Sequence, residues 1–344
     1  MKRRNFLKTS LLTVGALGLN KYAAFADKPV PQFGDAADHH LTTYHYDSAN
    51  SAVWIRWKNS TLTCYRAEAF QKYPYFYPLR AMKSGLSLTT ETAQPWPHHR
   101  SVFFGLDKVN GANFWQNDPD RDRIVSQKLE LGECTDKSAE IFNECLWIPV
   151  DKESKNPQEP LIADKRRFVL SVINDETYTL DCYYELKALT QVVCAKTNHG
   201  LFGVRLEQDL AVDAGAVLLN SEGEQAERNT NNRAPENMHN KYARWMTAYG
   251  QRFGRSDGLV EGLAIMSPPY TRKPFDQSIW FVRNYGNFSP MPFDAFEKEE
   301  TFVLPKDDVL RLAYRVVVFT GVPEKSFLNA QWDEFKALSE GKRS

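Results

Sequence analysis

Between Tyr178 and Leu186 every second residue is bulky and largely apolar, so Tyr178, Leu180, Cys182, Tyr184 and Leu186 share one face. A period of two belongs to strands, whose successive side chains point to opposite sides. The same short-range pattern recurs along the chain. Val53, Ile55 and Trp57 share a face, and Thr61–Tyr65 continues in that style. Strands are predicted at Leu86–Thr90, Ile124–Leu131, Glu140–Val150, Arg167–Ile173, Val217–Asn220, Leu259–Met266, Ile279–Arg283 and Leu310–Phe319. Gln191–Ala195 is expected to fold back onto the Tyr178 strand as a hairpin. Strand–helix alternation, which a parallel sheet needs, is missing, as is a Gly-rich phosphate loop. The pattern predicts an all-β fold, a large antiparallel β-sandwich. Phe327, Leu328, Trp332, Phe335 and Leu338 fall at helical spacing, so a packed helix is expected over Pro323–Leu338.

Charge narrows the choice of partners. Lys plus Arg and Asp plus Glu both number 43, giving a net charge of +0. That balance gives no reason to expect nucleic acid or an anionic membrane as partner. Aromatic residues reach 13%, which supplies flat surfaces for a core or for sugar rings. The first 26 residues read as an export signal of twin-arginine type. Arg3-Arg4 precedes Phe6-Leu7-Lys8, Leu11–Leu19 is weakly apolar, and Ala24-Phe25-Ala26 offers a cleavage site. Residues 27–344 are expected to form one β-sandwich domain, periplasmic or secreted, with no segment able to insert in a membrane. Export permits disulfides. Cys182 and Cys194 would face each other across the expected hairpin, as a disulfide or as two buried thiols.

The segment Pro95–Trp115 carries the densest chemistry. Pro95 and Pro97 stiffen the approach to His98, His99 and Arg100, and Val102-Phe103-Phe104 is apolar on both faces, as a buried strand requires. Imidazoles at a strand mouth can act as acid, base or metal ligand, or can simply bond backbone carbonyls. Arg100 can hold substrate oxygens or pair with a carboxylate. His199 sits in a Gly-bordered turn, and Glu222 lies between Ser221 and Gly223, where backbone freedom can aim it into a cleft. His98, His99 and His199, with Glu222, could converge on a metal, but the spacing matches no local metal motif. The sequence leaves both metal and cofactor unknown. Glu224–Asn240 is long and polar, as lids and binding loops are.

These pieces together resemble a family of secreted bacterial proteins labelled PmoA-like, or methane oxygenase PmoA. The resemblance rests on Tyr75-Phe76-Tyr77-Pro78-Leu79, Pro97-His98-His99-Arg100, Val109-Asn110-Gly111 with Phe114-Trp115, and His199 through Arg205. It continues through Asn220-Ser221-Glu222-Gly223, Ala243-Arg244-Trp245, and Trp280 through Arg283 to Tyr285-Gly286. Trp96 stands where the family has a polar residue before the proline, and a histidine common near Ile279–Val282 is missing here. A methane monooxygenase subunit would need several membrane-spanning helices, which this sequence lacks. The resemblance implies instead a sandwich similar to galactose-mutarotase-like carbohydrate proteins.

On this reading the partner is a small-molecule or oligosaccharide ligand. His98, His99, Glu222 and Arg100 are the candidate catalytic residues. Trp96, Asn110, Trp115, His199, Arg244, Trp245, Arg283 and Tyr285 are candidates for binding it, the aromatic ones by stacking on a sugar face. The expected activity is epimerase, lyase or hydrolase chemistry by His and Glu. A noncatalytic sugar-binding protein and a metal-dependent oxidative enzyme are the alternatives. The expected cleft is walled by the Pro95–Arg100 segment and the Ser221–Gly223 turn together.

Overall fold

A computed structural model describes residues 41–45, 51–116, 121–226, 235, 237–270 and 272–341. The export signal and most of the polar segment before Asn240 lie outside these residues. The strands run β1 (Leu41–His45), β2 (Ala52–Trp57), β3 (Ser60–Arg66), β4 (Tyr75–Leu79), β5 (Val102–Leu106), β6 (Arg123–Cys134) and β7 (Ser138–Ile148). Next come β8 (Ile162–Asn174), β9 (Thr177–Ala188), β10 (Val192–Ala195), β11 (Gly200–Arg205), β12 (Val217–Asn220) and β13 (Lys241–Tyr242). The last are β14 (Trp245–Gln251), β15 (Val260–Met266), β16 (Ile279–Arg283), β17 (Asn287–Pro290), β18 (Thr301–Leu304) and β19 (Val309–Thr320), followed by one helix, α1 (Lys325–Gly341).

A nine-stranded sheet, ordered β1-β2-β3-β4-β5-β11-β17-β16-β13, faces an eight-stranded one, ordered β12-β14-β15-β19-β9-β8-β7-β6. Every pairing in both is antiparallel. The fold is therefore the β-sandwich that the alternation predicts. Aromatic rings from the two sheets fill the space between them. Phe104 of β5 stacks on Tyr184 of β9 at 3.9 Å, and Phe202 of β11 stacks on Tyr314 of β19 at 4.6 Å.

The helix covers the outer side of the eight-stranded sheet. Leu328, Trp332 and Phe335, spaced for one helical face, bury against Trp245, Ala264, Met266, Val317 and Phe319. Among the described residues no helix is long and apolar enough to cross a membrane.

Two local expectations fail. Val192–Ala195 does not fold back on β9, because both ladder edges of β9 are already occupied by β8 and β19. It pairs with β18 in a separate two-stranded sheet. Cys182 thus lies opposite Phe168 and Tyr314, Cys194 lies opposite Phe302, and all five cysteines are free thiols. Leu86–Thr90 makes only isolated bridges, Ser87 to Arg80 and Thr89 to Leu206.

Candidate functional site

The candidate face is the outer side of the nine-stranded sheet over β5, β11, β17 and β16. Registers decide which residues project there. Phe104 and Phe202 point inward, so their neighbours Phe103 and Gly203, opposite each other in the ladder, lie on the outer side. Two places along β11 comes Arg205, which pairs with Asn287, and Asn287 pairs in turn with Arg283. Arg205, Asn287 and Arg283 therefore form one row across three strands. Ser289, opposite Phe281, shares their face.

Loops bring the histidines onto this face. The Pro95–Ser101 loop is pinned where Tyr73 Oη donates to the His98 carbonyl, where the His99 N–H donates to the Trp96 carbonyl, and where the Ser101 N–H donates to Thr90. His98 and His99, 9% and 4% exposed, meet edge to face at 4.5 Å. The His99 ring lies 6.3 Å from Tyr285 and 6.2 Å from Phe103, near-parallel to both, with its edge to Trp115 at 6.5 Å. The His199 ring, just before β11, lies 6.4 Å from that of Trp115. Gly203 makes this packing possible, since a Cβ there would fall 2.7–2.9 Å from ring atoms of Phe103 and Trp115.

Burial and crowding set the charges. Burial, then the proximity of His199 and Arg205, lowers the His98 pKa to about 4. Burial, then His98, Arg205, His199 and Arg283, lowers that of His99 to about 2. Burial also lowers His199, although Asp107 and Asp294 oppose the shift. The imidazoles are neutral near pH 7, and the face draws its positive charge from the two arginines. Several polar atoms here are buried without a protein partner. They are His98 Nε2, His99 Nδ1, Trp115 Nε1, Arg205 Nε and Nη1, both amide atoms of Asn287, and Ser289 Oγ. Buried polar groups are normally hydrogen-bonded, so such a concentration marks a place for water or ligand.

Sequence candidates divide between this face and other surroundings. His98, His99, Trp115, His199, Arg283 and Tyr285 come together. Trp96, 40% exposed, turns its ring towards His98 at 6.0 Å. Arg100 pairs with Glu91 at 3.4 Å and lies over Tyr75. Asn110 donates to the Gln191 carbonyl and accepts from the Val193 N–H, tying its turn to β10. Glu222 sits in the turn that follows β12 of the other sheet, accepting from Ser221 Oγ at 2.8 Å. Arg244 lies over Trp332 of the helix, and buried Trp245 donates from Nε1 to Asn329. The structure thus joins Glu222, Arg244 and Trp245 to the helix side of the eight-stranded sheet. Among the described residues no three His, Cys, Asp or Glu side chains are grouped to hold a metal ion.

Five residues at this face were missed by sequence reasoning. Arg205, Asn287 and Ser289 leave a period-two signal, polar residues alternating with Val204, Phe288 and Pro290. Glu207 gives none. It lines a cavity of about 450 Å³ with Arg205, Tyr285, Thr90 and Gln94, and burial followed by Asp209 raises its pKa. His239 also reaches the face. Its Nδ1 accepts the Val282 N–H, so a histidine does stand beside Ile279–Val282, delivered from another segment.

A family profile matches residues 35–333. The chain belongs to that family, described as a family of unknown function (DUF6807). No curated protein matches the sequence. Among solved structures, an aldose epimerase homologue from C. elegans is 9% identical with a TM-score of 0.34, covering 83% of this chain and 100% of its own. Heparan sulfate lyase HepC from Pedobacter heparinus is 10% identical with a TM-score of 0.35, covering 83% of this chain, which spans 36% of the lyase. A galactose mutarotase related enzyme from Lactobacillus acidophilus is 9% identical with a TM-score of 0.29, covering 82% of this chain and 98% of its own. These likenesses say nothing about the reaction. None of these matches carries the methane-oxygenase label that the sequence resemblance suggested.

Proposed function

We propose that this chain is an exported carbohydrate-active protein whose ligand lies on the outer face of β5, β11, β17 and β16. The observation that carries the reading is the set of unpartnered buried donors and acceptors beside Trp115, Phe103 and Tyr285. A sugar ring offers matching chemistry, with hydroxyls that donate and accept and an apolar face that packs on aromatic rings. Acid–base work on it would fall to His98 and His199. Glu207 would supply the carboxylate, since its cavity shares Arg205 and Tyr285 with the histidine face. Its raised pKa suits proton donation near a glycosidic or ring oxygen.

A noncatalytic sugar-binding role is the second reading. It is favoured by the low pKa of His99, which makes that ring a hydrogen-bonding group and a poor base. Binding and product formation across a panel of glycans separate the two. Binding with turnover supports the enzyme, binding without turnover the second reading, and no binding to any glycan would refute both.

A further inference from the structure

Building on the carbohydrate reading, we propose that the sugar bound here carries an oxyanion, a carboxylate or a sulfate, seated against Arg205 and Arg283. The other buried arginines of this protein each have a carboxylate partner. Arg166 pairs with Asp164 at 2.6 Å, Arg252 with Asp209 at 2.9 Å, and Arg315 with Asp181 at 2.6 Å. Each guanidinium is almost fully buried, and each has its carboxylate. Arg205 is just as buried, at 5% exposed, and among the described residues it pairs with no carboxylate. Its Nε and Nη1 have no protein partner, and its guanidinium lies over the Tyr285 ring at 4.4 Å. A buried charge without a counter-charge is costly, and a ring face offsets only part of that cost.

The second arginine points to the same answer. Arg283 shares the row with Arg205 through Asn287, whose two amide atoms are also unpartnered. Its Nη1 donates to the Val282 carbonyl and lies 3.3 Å from the ring nitrogens of His239, with no carboxylate in ion-pair reach among the described residues. The histidines around the pair are neutral, and Glu207 and Asp294 act on the two arginines only from beyond ion-pair distance. Glu207 shares the cavity with Arg205 but stays outside ion-pair distance, and burial disfavours its charged form. Hydroxyl groups alone would satisfy the donors and leave the charge. An oxyanion does both, and guanidinium is the side chain best suited to carboxylate and sulfate oxygens. The cavity of about 450 Å³ beside Arg205 is of the size that holds a small ligand.

The test is calorimetric titration of the full chain with matched pairs. Glucuronate and glucose 6-sulfate are each compared with glucose, and an oligogalacturonate with its methyl ester. Inorganic sulfate alone is a further arm. The acidic member of a pair should bind at least about tenfold tighter, with affinity falling as salt rises. Whichever acidic ligand binds identifies carboxylate or sulfate as the source. Arg205→Gln should remove the preference and Arg205→Lys should keep part of it. Arg283→Gln, at a less buried position, gives the same reading if Arg205→Gln does not fold. Neutral members binding as tightly as acidic ones would overturn the proposal and leave the carbohydrate reading standing. A preference that survives both Gln variants would also overturn it. Sulfate binding with no sugar binding would refute the carbohydrate reading instead, and binding of neither would refute both.

Discussion

The backbone N–H of Val282 donates to His239 Nδ1 at 3.2 Å, joining residues 43 apart in sequence. The short edge strand β13 pairs only with Ile279 and Trp280, so the imidazole takes over as acceptor where that ladder ends. Neutral imidazole has one acceptor nitrogen, which places the ring proton on Nε2. Burial and then Arg283 hold the ring neutral. His239→Ala should therefore strand the Val282 N–H and cost about 1–3 kcal/mol. His239→Asn, which restores an acceptor, should recover much of the loss. Thermal melts of the two variants check this. An Ala variant as stable as the parent would show that the bond contributes nothing.

Acid should destabilise the fold through His98 and His99. Their folded pKa values, about 4 and about 2, lie below the ordinary 6.5 of an unfolded imidazole. Between those limits the unfolded chain binds more protons than the folded one, so stability falls as pH falls. The contribution is complete above about pH 6.5 and erodes below it, down to about 4 for His98 and about 2 for His99. At about pH 5, His99→Gln should lower the proton uptake on unfolding by about one proton. Its stability should then depend less steeply on pH than that of the parent. Denaturant midpoints measured from pH 7 to pH 4 test the slope, and parallel curves would mean that His99 is protonated in the folded state.

Gly203 lies on the candidate face, directly beneath Phe103 and Trp115. A Cβ there meets Phe103 and Trp115 at 2.7–2.9 Å, both from ring atoms packed on each other. Gly203→Ala should cost about 1–3 kcal/mol by overpacking. It should also weaken ligand binding, because Trp115 must move away from His99 and His199. Tryptophan fluorescence and a melt would show both effects. An unchanged melting temperature would mean that the rings have room to yield.

Much of the sandwich was legible because strands buried on one side must alternate. β12 and β16 match their predicted limits, and the shared face of Val53, Ile55 and Trp57 is buried in β2. The helix was legible from Leu328, Trp332 and Phe335 for the same reason. What failed was pairing. Val192–Ala195 reads equally well as partner to β9 or to β18, and only the competition of β8 and β19 for β9 decides. The site was half legible. Histidines beside prolines stand out in a sequence, whereas Arg205, Asn287 and Ser289 acquire meaning only when registers set them side by side. Glu222 shows the converse, a carboxylate in a promising local setting whose strand belongs to the other sheet.

Glu222 is an exposed turn residue whose bonds run to Ser221 and Asn220, within its own turn. Glu207 is half-buried in the cavity lined by Arg205 and Tyr285. If acid–base chemistry on a sugar is the activity, Glu207→Gln should lower kcat by about 10²–10⁴-fold, the usual worth of a positioned proton donor. Glu222→Ala should leave kcat within about twofold and shift stability by no more than about 0.5 kcal/mol. The pH profile adds a readout that a structural role would not move. A carboxyl with a raised pKa stays protonated to higher pH, so it sets an alkaline limb that should vanish in Glu207→Gln. Kinetics on whichever glycan is turned over, measured for both variants across pH, decides the matter. A large loss at Glu222 with none at Glu207 would move the chemistry to the turn after β12 and away from the arginine row.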